Sequence, residues 1–253
     1  MLVYVFMLGR AGCGKSAATR HMAAHLPQGW KVERITDYKF LQKKFHNGDP
    51  RFRSTRLGGF DVIDFSVLDE VLYEVQAQAT TFEYRYSTKN TLVTIEFARD
   101  DYRQALHLFD RGFLKSAYFL FIDAELETCI QRVHQRITQK PVPLANLNVS
   151  DDLLNNHFVS DEILRGYYSS SQYNLFYMKN QCHKDFSIEP HRIKIIENNG
   201  DQKEFTDQVD GFLEEIIREP AGVEQHILIG ATSRASTTAS EVPDSLPSYK
   251  ITI

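Results

Sequence analysis

The sequence is poor in cysteine, in tryptophan and in net charge. Its 253 residues contain three cysteines and one tryptophan, and the formal net charge is only −4. An odd number of cysteines without framework spacing argues against a disulfide-stabilised secreted domain and favours reduced thiols in the cytoplasm. The slightly acidic balance argues against a whole-protein affinity for nucleic acid, while leaving room for a local basic patch.

Patterns that define several other protein classes are also missing. No apolar run approaches the roughly 18 residues that suggest a membrane-spanning helix. The apolar run at residues 2–8 is too short for a signal peptide and has no basic leader. We find no internal repeat, and no Asn-Lys-x-Asp string of the kind that reads guanine in GTPases. A composition that is 42% hydrophobic is enough for one well-packed core.

What the sequence does contain is a glycine-rich loop between a predicted strand and a predicted helix. Residues 9–16 match the pattern G-x-x-x-x-G-K-[ST] at every fixed position, directly after the apolar run 2–8. In such a loop, backbone N–H groups and a helix N-terminus surround a polyphosphate. We therefore predict that seven residues bind a nucleotide: Gly9, Gly12, Cys13, Gly14, Lys15, Ser16 and Ala17.

Two residues of this loop and one acid have expected chemical roles. Lys15 can reach the β- and γ-phosphates, and the Ser16 hydroxyl is placed to bind magnesium. Glu96 ends the apolar strand 92–96, where a carboxylate would hold the magnesium or its water. The predicted cofactors are therefore ATP and Mg²⁺.

Asp37 directly follows the second predicted strand, 30–36. Ligands of open parallel sheets bind at the carboxyl ends of the strands, so Asp37 would lie beside a substrate hydroxyl. The alternative is that Asp37 caps the helix that starts at Tyr38. One carboxylate would not easily serve both roles.

Two groups of arginines are candidates for binding negative charge. Arg56, with Arg51 and Arg53, either binds a phosphorylated substrate or belongs to an exposed, solvated segment. Arg132 and Arg136 lie four residues apart and therefore share a helix face. They either neutralise a transferring phosphoryl group or pair with nearby glutamates.

Two further arginines complete the candidate substrate site. Arg99 comes three residues after Glu96 and is expected to face the substrate. Arg165 precedes a run of aromatic residues between 167 and 177, with which it would stack a base. We favour helix packing for these aromatics. Asp100 and Asp101 are expected to cap the helix that follows them.

The pattern of strands and breaks predicts one large domain over residues 1–230. Within it, residues 38–90 are expected to form a substrate-binding insert, and the proline-containing residues 138–160 a lid. A short strand is expected at 226–229. The Ser- and Thr-rich tail over 231–253 is expected to be disordered or ordered by a partner.

Five predicted strands that alternate with helices, with the glycine loop after the first, resemble the P-loop kinases. This group includes nucleoside monophosphate, shikimate and gluconate kinases. Residues 9–16, 119–132 and 195–200 carry the resemblance, and only the first stretch is specific. The resemblance implies an α/β three-layer P-loop NTPase fold with a parallel five-stranded sheet in the order 2-3-1-4-5 and helices on both faces. It also implies transfer of the ATP γ-phosphoryl group to a small acceptor.

By position, the resemblance makes Asp37 the acid that orients or deprotonates an acceptor hydroxyl, and places Arg132 and Arg136 at the entry to the lid. Residues 38–90 contain no nucleoside monophosphate signature, and the lid has no metal-binding cysteine set. The expected acceptor is therefore a nucleoside, a nucleotide or another hydroxyl metabolite. The alternatives are a polynucleotide 5′-hydroxyl kinase and a nucleotide-hydrolysing switch or binding module without an acceptor. The oligomeric state stays open, with a dimer among the options.

Overall fold

A computed structural model of the chain describes residues 1–56, 59–85, 90–138, 158–168 and 171–218. These residues belong to one compact unit, Met1–Ala221. Most of the predicted lid (139–157), the run at 226–229 and the tail at 231–253 lie outside the described residues.

The described strands, in chain order, are β1 (Leu2–Leu8), β2 (Trp30–Thr36), β3 (Phe52–Ser54), β4 (Phe60–Val62), β5 (Asn90–Glu96), β6 (Tyr118–Asp123) and β7 (Ile193–Glu197). Five of them form a parallel sheet in the order β2-β5-β1-β6-β7, while β3 and β4 pair separately as an antiparallel hairpin. Counting only the strands of the main sheet, the order is 2-3-1-4-5, so the predicted topology is confirmed.

The described helices are α1 (Lys15–His25), α2 (Asp37–His46), α3 (Ser66–Arg85), α4 (Tyr102–Leu106), α5 (Arg111–Ser116), α6 (Leu126–Thr138), α7 (Asp161–Tyr167), α8 (Ser171–Asn180), α9 (Cys182–Phe186) and α10 (Gln202–Arg218). None of the described helices is long and apolar enough to cross a membrane. Asp101 caps α4 by accepting a hydrogen bond from the Gln104 N–H, as predicted.

The three layers follow from the alternation of side chains along β1. Phe6 and Leu8 point to one face of the sheet, where they pack in a core with residues of α3, α4, α5, α8 and α9. Val5 and Met7 point to the other face and pack against α1 and α10. Because helices cover both faces of the sheet, the sequence of β1 is an unbroken apolar run rather than an alternating one.

The register of the sheet brings three predicted site segments to one edge. Glu96, at the end of β5, lies opposite Met7 of β1 on one side and opposite Thr36 of β2 on the other. The glycine loop after β1 and Asp37 after β2 therefore flank Glu96. The predicted insert over 38–90 consists of α2, the β3–β4 hairpin and α3, joined to this same edge.

Candidate active site

The glycine loop has a backbone that residues with side chains rarely adopt. Gly9, Gly12 and Gly14 have φ angles of +132°, +88° and +115°. There is also no room for a side chain, since a Cβ on Gly12 would lie 2.5 Å from the carbonyl oxygen of Cys129 in α6. The motif therefore encodes a tight loop packed against the first turn of α6.

Helix α1 begins at Lys15, and its N-cap is Gly14, which provides no side-chain hydrogen bond. The first N–H groups of a helix lack partners within the helix, and together with its dipole they favour an anion. The Lys15 ammonium lies over the loop, where it donates to the carbonyl oxygens of Gly9 (2.6 Å) and Arg10 (2.8 Å). The start of α1 thus combines a fixed cation with backbone donors.

Hydrogen bonds from distant parts of the chain hold the loop in place. The Tyr102 hydroxyl at the start of α4 accepts from the Gly9 N–H at 2.7 Å. Asn198, after β7, donates through Nδ2 to the carbonyl oxygen of Cys13 at 2.7 Å. Arg132 of α6 donates to the Asn198 Oδ1 at 3.1 Å. Arg132 therefore braces the loop through Asn198.

Ser16 and Glu96 meet in a buried polar cluster. The Ser16 hydroxyl donates to Glu96 Oε2 at 3.1 Å, and the Thr19 hydroxyl donates to Oε1 at 2.7 Å. Arg34 of β2 binds both carboxylate oxygens, through Nε and Nη2, at 2.7 Å each. Its Nη2 also lies 2.7 Å from the Ser16 hydroxyl oxygen.

This cluster keeps Glu96 negatively charged although the residue is only 3% exposed. Burial by itself would raise the pKa of Glu96. The charge and hydrogen bonds of Arg34, with the Thr19 hydroxyl, outweigh burial and lower the pKa to about 2. Glu96 is therefore a fixed anion beside the Ser16 hydroxyl at neutral pH.

Asp37 lies at the first position of α2 and is 8% exposed. Its Oδ2 accepts a hydrogen bond from Arg99 Nη1 at 2.9 Å, while Oδ1 accepts none from any described residue. The helix cap is Thr36, whose hydroxyl accepts from the Tyr38 N–H, so the alternative that Asp37 caps α2 is wrong.

Hydrogen bonds to three groups hold the Arg99 side chain in one orientation. Besides Asp37, it donates to the carbonyl oxygens of Ala98 at 2.7 Å and Leu68 at 2.6 Å. Its Nε is buried and has no partner within the described part of the chain. Arg99 therefore holds Asp37 in a fixed orientation.

A cavity of about 150 Å³ joins these groups. Seven predicted site residues line it: Gly12, Lys15, Ser16, Asp37, Glu96, Arg99 and Arg136. Arg136 of α6 makes no hydrogen bond or ion pair with any residue that the structure describes, and burial lowers the pKa of its guanidinium. An unpaired cation in a cavity beside a glycine loop is suited to bind an anionic ligand.

Other predicted site residues do not line the cavity. The side chains of Cys13 and Ala17 pack in the core against α1 and α10. Arg132 does not line the cavity and instead donates hydrogen bonds to Asn198 and, at 3.5 Å, to the Cys13 carbonyl oxygen. Arg165 is exposed and paired with Glu127, and Arg56 is exposed on the insert. The substrate-binding role of Arg56 and Arg165 stays a prediction that the geometry does not support.

Arg51 and Arg53 of the insert are paired with acidic residues rather than gathered into a patch. Arg51 binds Asp49 and Glu70, and Arg53 binds Asp61 and Glu162. Because these two arginines are already paired with acidic residues, their charges are not free for the anionic substrate that the sequence predicts they could bind.

Sequence reasoning missed three residues of the site: Arg34, Tyr102 and Asn198. Arg34 on β2 lies opposite Thr94 on the neighbouring strand β5. Its side chain therefore reaches diagonally to Glu96, two residues further along β5. Tyr102 and Asn198 are 93 and 185 residues from their partners in the loop. The one signal in the sequence was the alternation of β2, which places Arg34 and Thr36 on the same face.

No protein-family model matches the chain, and no curated protein matches its sequence. Solved structures do match. Shikimate kinase from Acinetobacter baumannii in complex with shikimate matches with 12% identity and a TM-score of 0.41, over 88% of this chain and 97% of that chain. The tunicamycin resistance protein of Deinococcus radiodurans matches with 14% identity and a TM-score of 0.41, over 83% and 93%.

A gluconokinase from Sinorhizobium meliloti 1021 also matches, with 11% identity and a TM-score of 0.38, over 84% of this chain and 91% of that chain. The strand order and the glycine loop define the three-layer P-loop fold. The predicted α/β fold, with a five-stranded parallel sheet and helices on both faces, is thus confirmed.

Proposed function

We propose that the protein is an ATP-dependent phosphotransferase that moves the γ-phosphoryl group to a hydroxyl of a small acceptor. One observation carries this proposal. A single cavity is lined by the glycine loop with Lys15, by Arg136 and by Asp37, and within the described part of the chain Arg136 has no ion-pair partner and Asp37 Oδ1 accepts no hydrogen bond. These are the parts needed to bind a polyphosphate and to orient a hydroxyl beside it.

The donor end of the cavity fits a nucleoside triphosphate. Gly12 lines the cavity without a side chain, so its backbone can approach phosphate oxygens. Lys15 and the first N–H groups of α1 would bind the phosphates. Arg136 would bind negative charge that builds up on the transferring group and on the leaving oxygen.

A hydroxyl and a carboxylate are ligands that suit Mg²⁺, and Ser16 and Glu96 supply both within 3.1 Å of each other. We propose that Ser16 would hold the ion directly and that Glu96, whose two oxygens already accept hydrogen bonds from Ser16, Thr19 and Arg34, would hold it through water. Bound magnesium would neutralise phosphate charge during transfer. Arg34 keeps Glu96 ionised and oriented for this task.

At the acceptor end, Asp37 Oδ1 would accept the proton of the attacking hydroxyl. A bond forms between the acceptor oxygen and the γ-phosphorus, the bond to the β–γ bridging oxygen breaks, and ADP leaves. Arg99 keeps Asp37 in position because it binds the other oxygen, Oδ2. The buried, unpaired cysteines fit the predicted cytoplasmic location.

The test uses γ-labelled ATP with Mg²⁺ and pooled nucleosides, nucleotides, sugars, hydroxy acids and 5′-hydroxyl oligonucleotides. Wild-type protein should label one pool. Lys15→Ala should lower transfer at least about a hundredfold and leave the fold intact, because it removes a charge on the phosphates rather than a core contact.

Lys31→Ala is the matched control, because Lys31 is an exposed lysine on β2. It should retain wild-type activity. Label that appears only as free phosphate would favour the hydrolysing switch, and unchanged transfer in Lys15→Ala would overturn the proposal.

A further inference from the structure

The wall that the insert contributes to the cavity is apolar. Six residues of the insert line the cavity: Tyr38, Leu41, Phe60, Val62, Phe65 and Leu68. Two ring pairs stand out in this wall. Tyr38 stacks on Phe60 with ring centroids 5.4 Å apart, and Phe65 stacks on Tyr167 of α7 at 4.3 Å.

Phe65 is 37% exposed, so part of its ring is accessible from the cavity that it lines. A cavity wall made of stacked rings offers flat apolar surface to a ligand. Such a surface gains most from a ligand body that is itself flat and apolar.

The charges at this end of the cavity cancel. Asp37 and Arg99 pair with each other, and the other Nη donors of Arg99 bind the Ala98 and Leu68 carbonyl oxygens. Arg99 keeps a buried Nε without a partner among the described residues, but Asp37 already balances its charge, so a carboxylate or phosphate on the acceptor would add an uncompensated negative charge beside this wall. An unpaired anion buried here would lose its hydration without compensation.

Arg136 belongs to the other end of the cavity. It lies on α6, whose first turn packs on Gly12 of the glycine loop, and Cys13, Glu96 and Cys129 near that loop influence the pKa of its guanidinium. Asp37 and Arg99 instead influence the pKa of Tyr167 and Tyr168 in the wall of the acceptor end. The free positive charge therefore lies with the donor phosphates.

We infer that the acceptor is an uncharged alcohol carried on an aromatic or similarly flat apolar body, of which a nucleoside is the representative class. This inference rests on the proposed function, because it concerns the acceptor of the same reaction. The flat body packs on the stacked rings, and its hydroxyl donates to Asp37 Oδ1. An acceptor that already carries a phosphate or a carboxylate is disfavoured, because Asp37 already neutralises Arg99, the arginine beside the ring wall.

The decisive experiment compares probes that differ in charge. Uridine and adenosine are assayed with Mg²⁺ and γ-labelled ATP against their 5′-monophosphates and against gluconate and shikimate. We expect kcat/KM for a nucleoside to exceed that for its monophosphate and for both acids by at least about tenfold. Preference for a monophosphate or an acid would overturn the inference and leave the phosphotransferase function standing.

A pair of variants tests the role of the ring wall. Phe65→Leu should raise KM for the nucleoside about fivefold, with kcat changed less than KM, because it removes a ring that packs on the bound body. Tyr73→Leu is the control, since Tyr73 on α3 is 57% exposed and does not line the cavity. An unchanged KM in Phe65→Leu would contradict the inference.

Calorimetry separates the inference from the proposed function. Binding of uridine and adenosine is measured with the Lys15→Ala protein, which retains the apolar wall but lacks the phosphate-binding charge. The proposed function would fail if the wild-type protein transferred phosphate to no acceptor. In that case, nucleoside binding to Lys15→Ala that is weakened when Phe65→Leu is added would still support the inferred flat apolar ligand. Binding of the monophosphates in preference to the nucleosides would overturn it.

Discussion

Asp37 and Glu96 are buried carboxylates at the same edge of the sheet, yet their hydrogen bonds give them different capacities. Glu96 receives hydrogen bonds on both oxygens, from Ser16, Thr19 and Arg34. Asp37 receives one from a side chain, on Oδ2. A carboxylate with a free oxygen can accept a proton, whereas one bound on both sides acts as a fixed charge.

The variant Asp37→Asn tests this difference. We expect phosphoryl transfer to fall at least about a hundredfold, because the amide cannot take the proton of the hydroxyl. The KM for ATP should change less than about twofold, since Lys15 and the loop are intact. Steady-state kinetics at saturating acceptor, with a thermal melt to check folding, measures both effects.

Folding is expected to survive this change because Thr36, and not Asp37, caps α2. Asp207→Asn, at an exposed position on α10, is the matched control and should behave as wild type. An equal loss of ATP binding and transfer would assign Asp37 a structural role instead.

At the scale of elements, the glycine loop depends on its contact with α6. The Gly12 backbone packs so closely on the first turn of α6 that no Cβ fits between them. Gly211, inside α10, has nothing within 4 Å of its would-be Cβ. The same substitution should therefore have opposite effects at the two positions.

Gly12→Ala should lower the free energy of unfolding by about 1–3 kcal/mol and impair ATP binding, because it combines a positive φ with a steric conflict. Gly211→Ala should raise the free energy of unfolding by about 1 kcal/mol through helix propensity. Urea denaturation of both variants measures these changes. A neutral Gly12→Ala variant would show that the loop and α6 separate more easily than the structure indicates.

At the scale of the whole molecule, the ion pair of Arg34 and Glu96 ties β2 to β5, and the Ser16 contact extends it to α1. Folding lowers the pKa of Glu96 from its ordinary 4.5 to about 2. The pair therefore contributes stability that is present above about pH 4.5 and is lost as the pH falls towards 2.

Arg34→Leu removes the cation and leaves a buried, unpaired carboxylate. We expect the free energy of unfolding at pH 7.5 to fall by about 3–5 kcal/mol. Burial then raises the pKa of Glu96, so the deficit should shrink on acidification to about pH 4.5 as the carboxyl group takes up a proton. Urea unfolding of variant and wild type at both pH values tests this.

Arg218→Leu, which removes an exposed pair with Glu214, is the control and should change stability by less than about 1 kcal/mol at either pH. The double variant Arg34→Leu/Glu96→Gln should recover part of the lost stability at pH 7.5. A deficit that stays the same from pH 7.5 to pH 4.5 would contradict the assignment of Glu96 as the charge that Arg34 compensates.

Local patterns were enough to predict the alternation of strands and helices and the centre of the site, while the strand order came from the resemblance to P-loop kinases. The glycine loop, the strand before it and the helix after it are contiguous, so their geometry follows from short-range sequence rules. Asp37 and Glu96 were predicted because they directly follow or end a strand, and parallel strands end at one edge. The structure brings both to the cavity with Lys15 and Ser16.

The sequence by itself thus determined the loop and the two acids, because these depend on neighbours along the chain. It determined the strand order of the sheet only through its resemblance to P-loop kinases. Only the tertiary structure decided that Arg132 braces the loop, that Arg34 holds Glu96 and that Arg99 holds Asp37. It also decided that Arg165 pairs with Glu127 away from the cavity. The physical reason is distance along the chain: each of these partners is brought close by packing, and residue spacing carries no record of it.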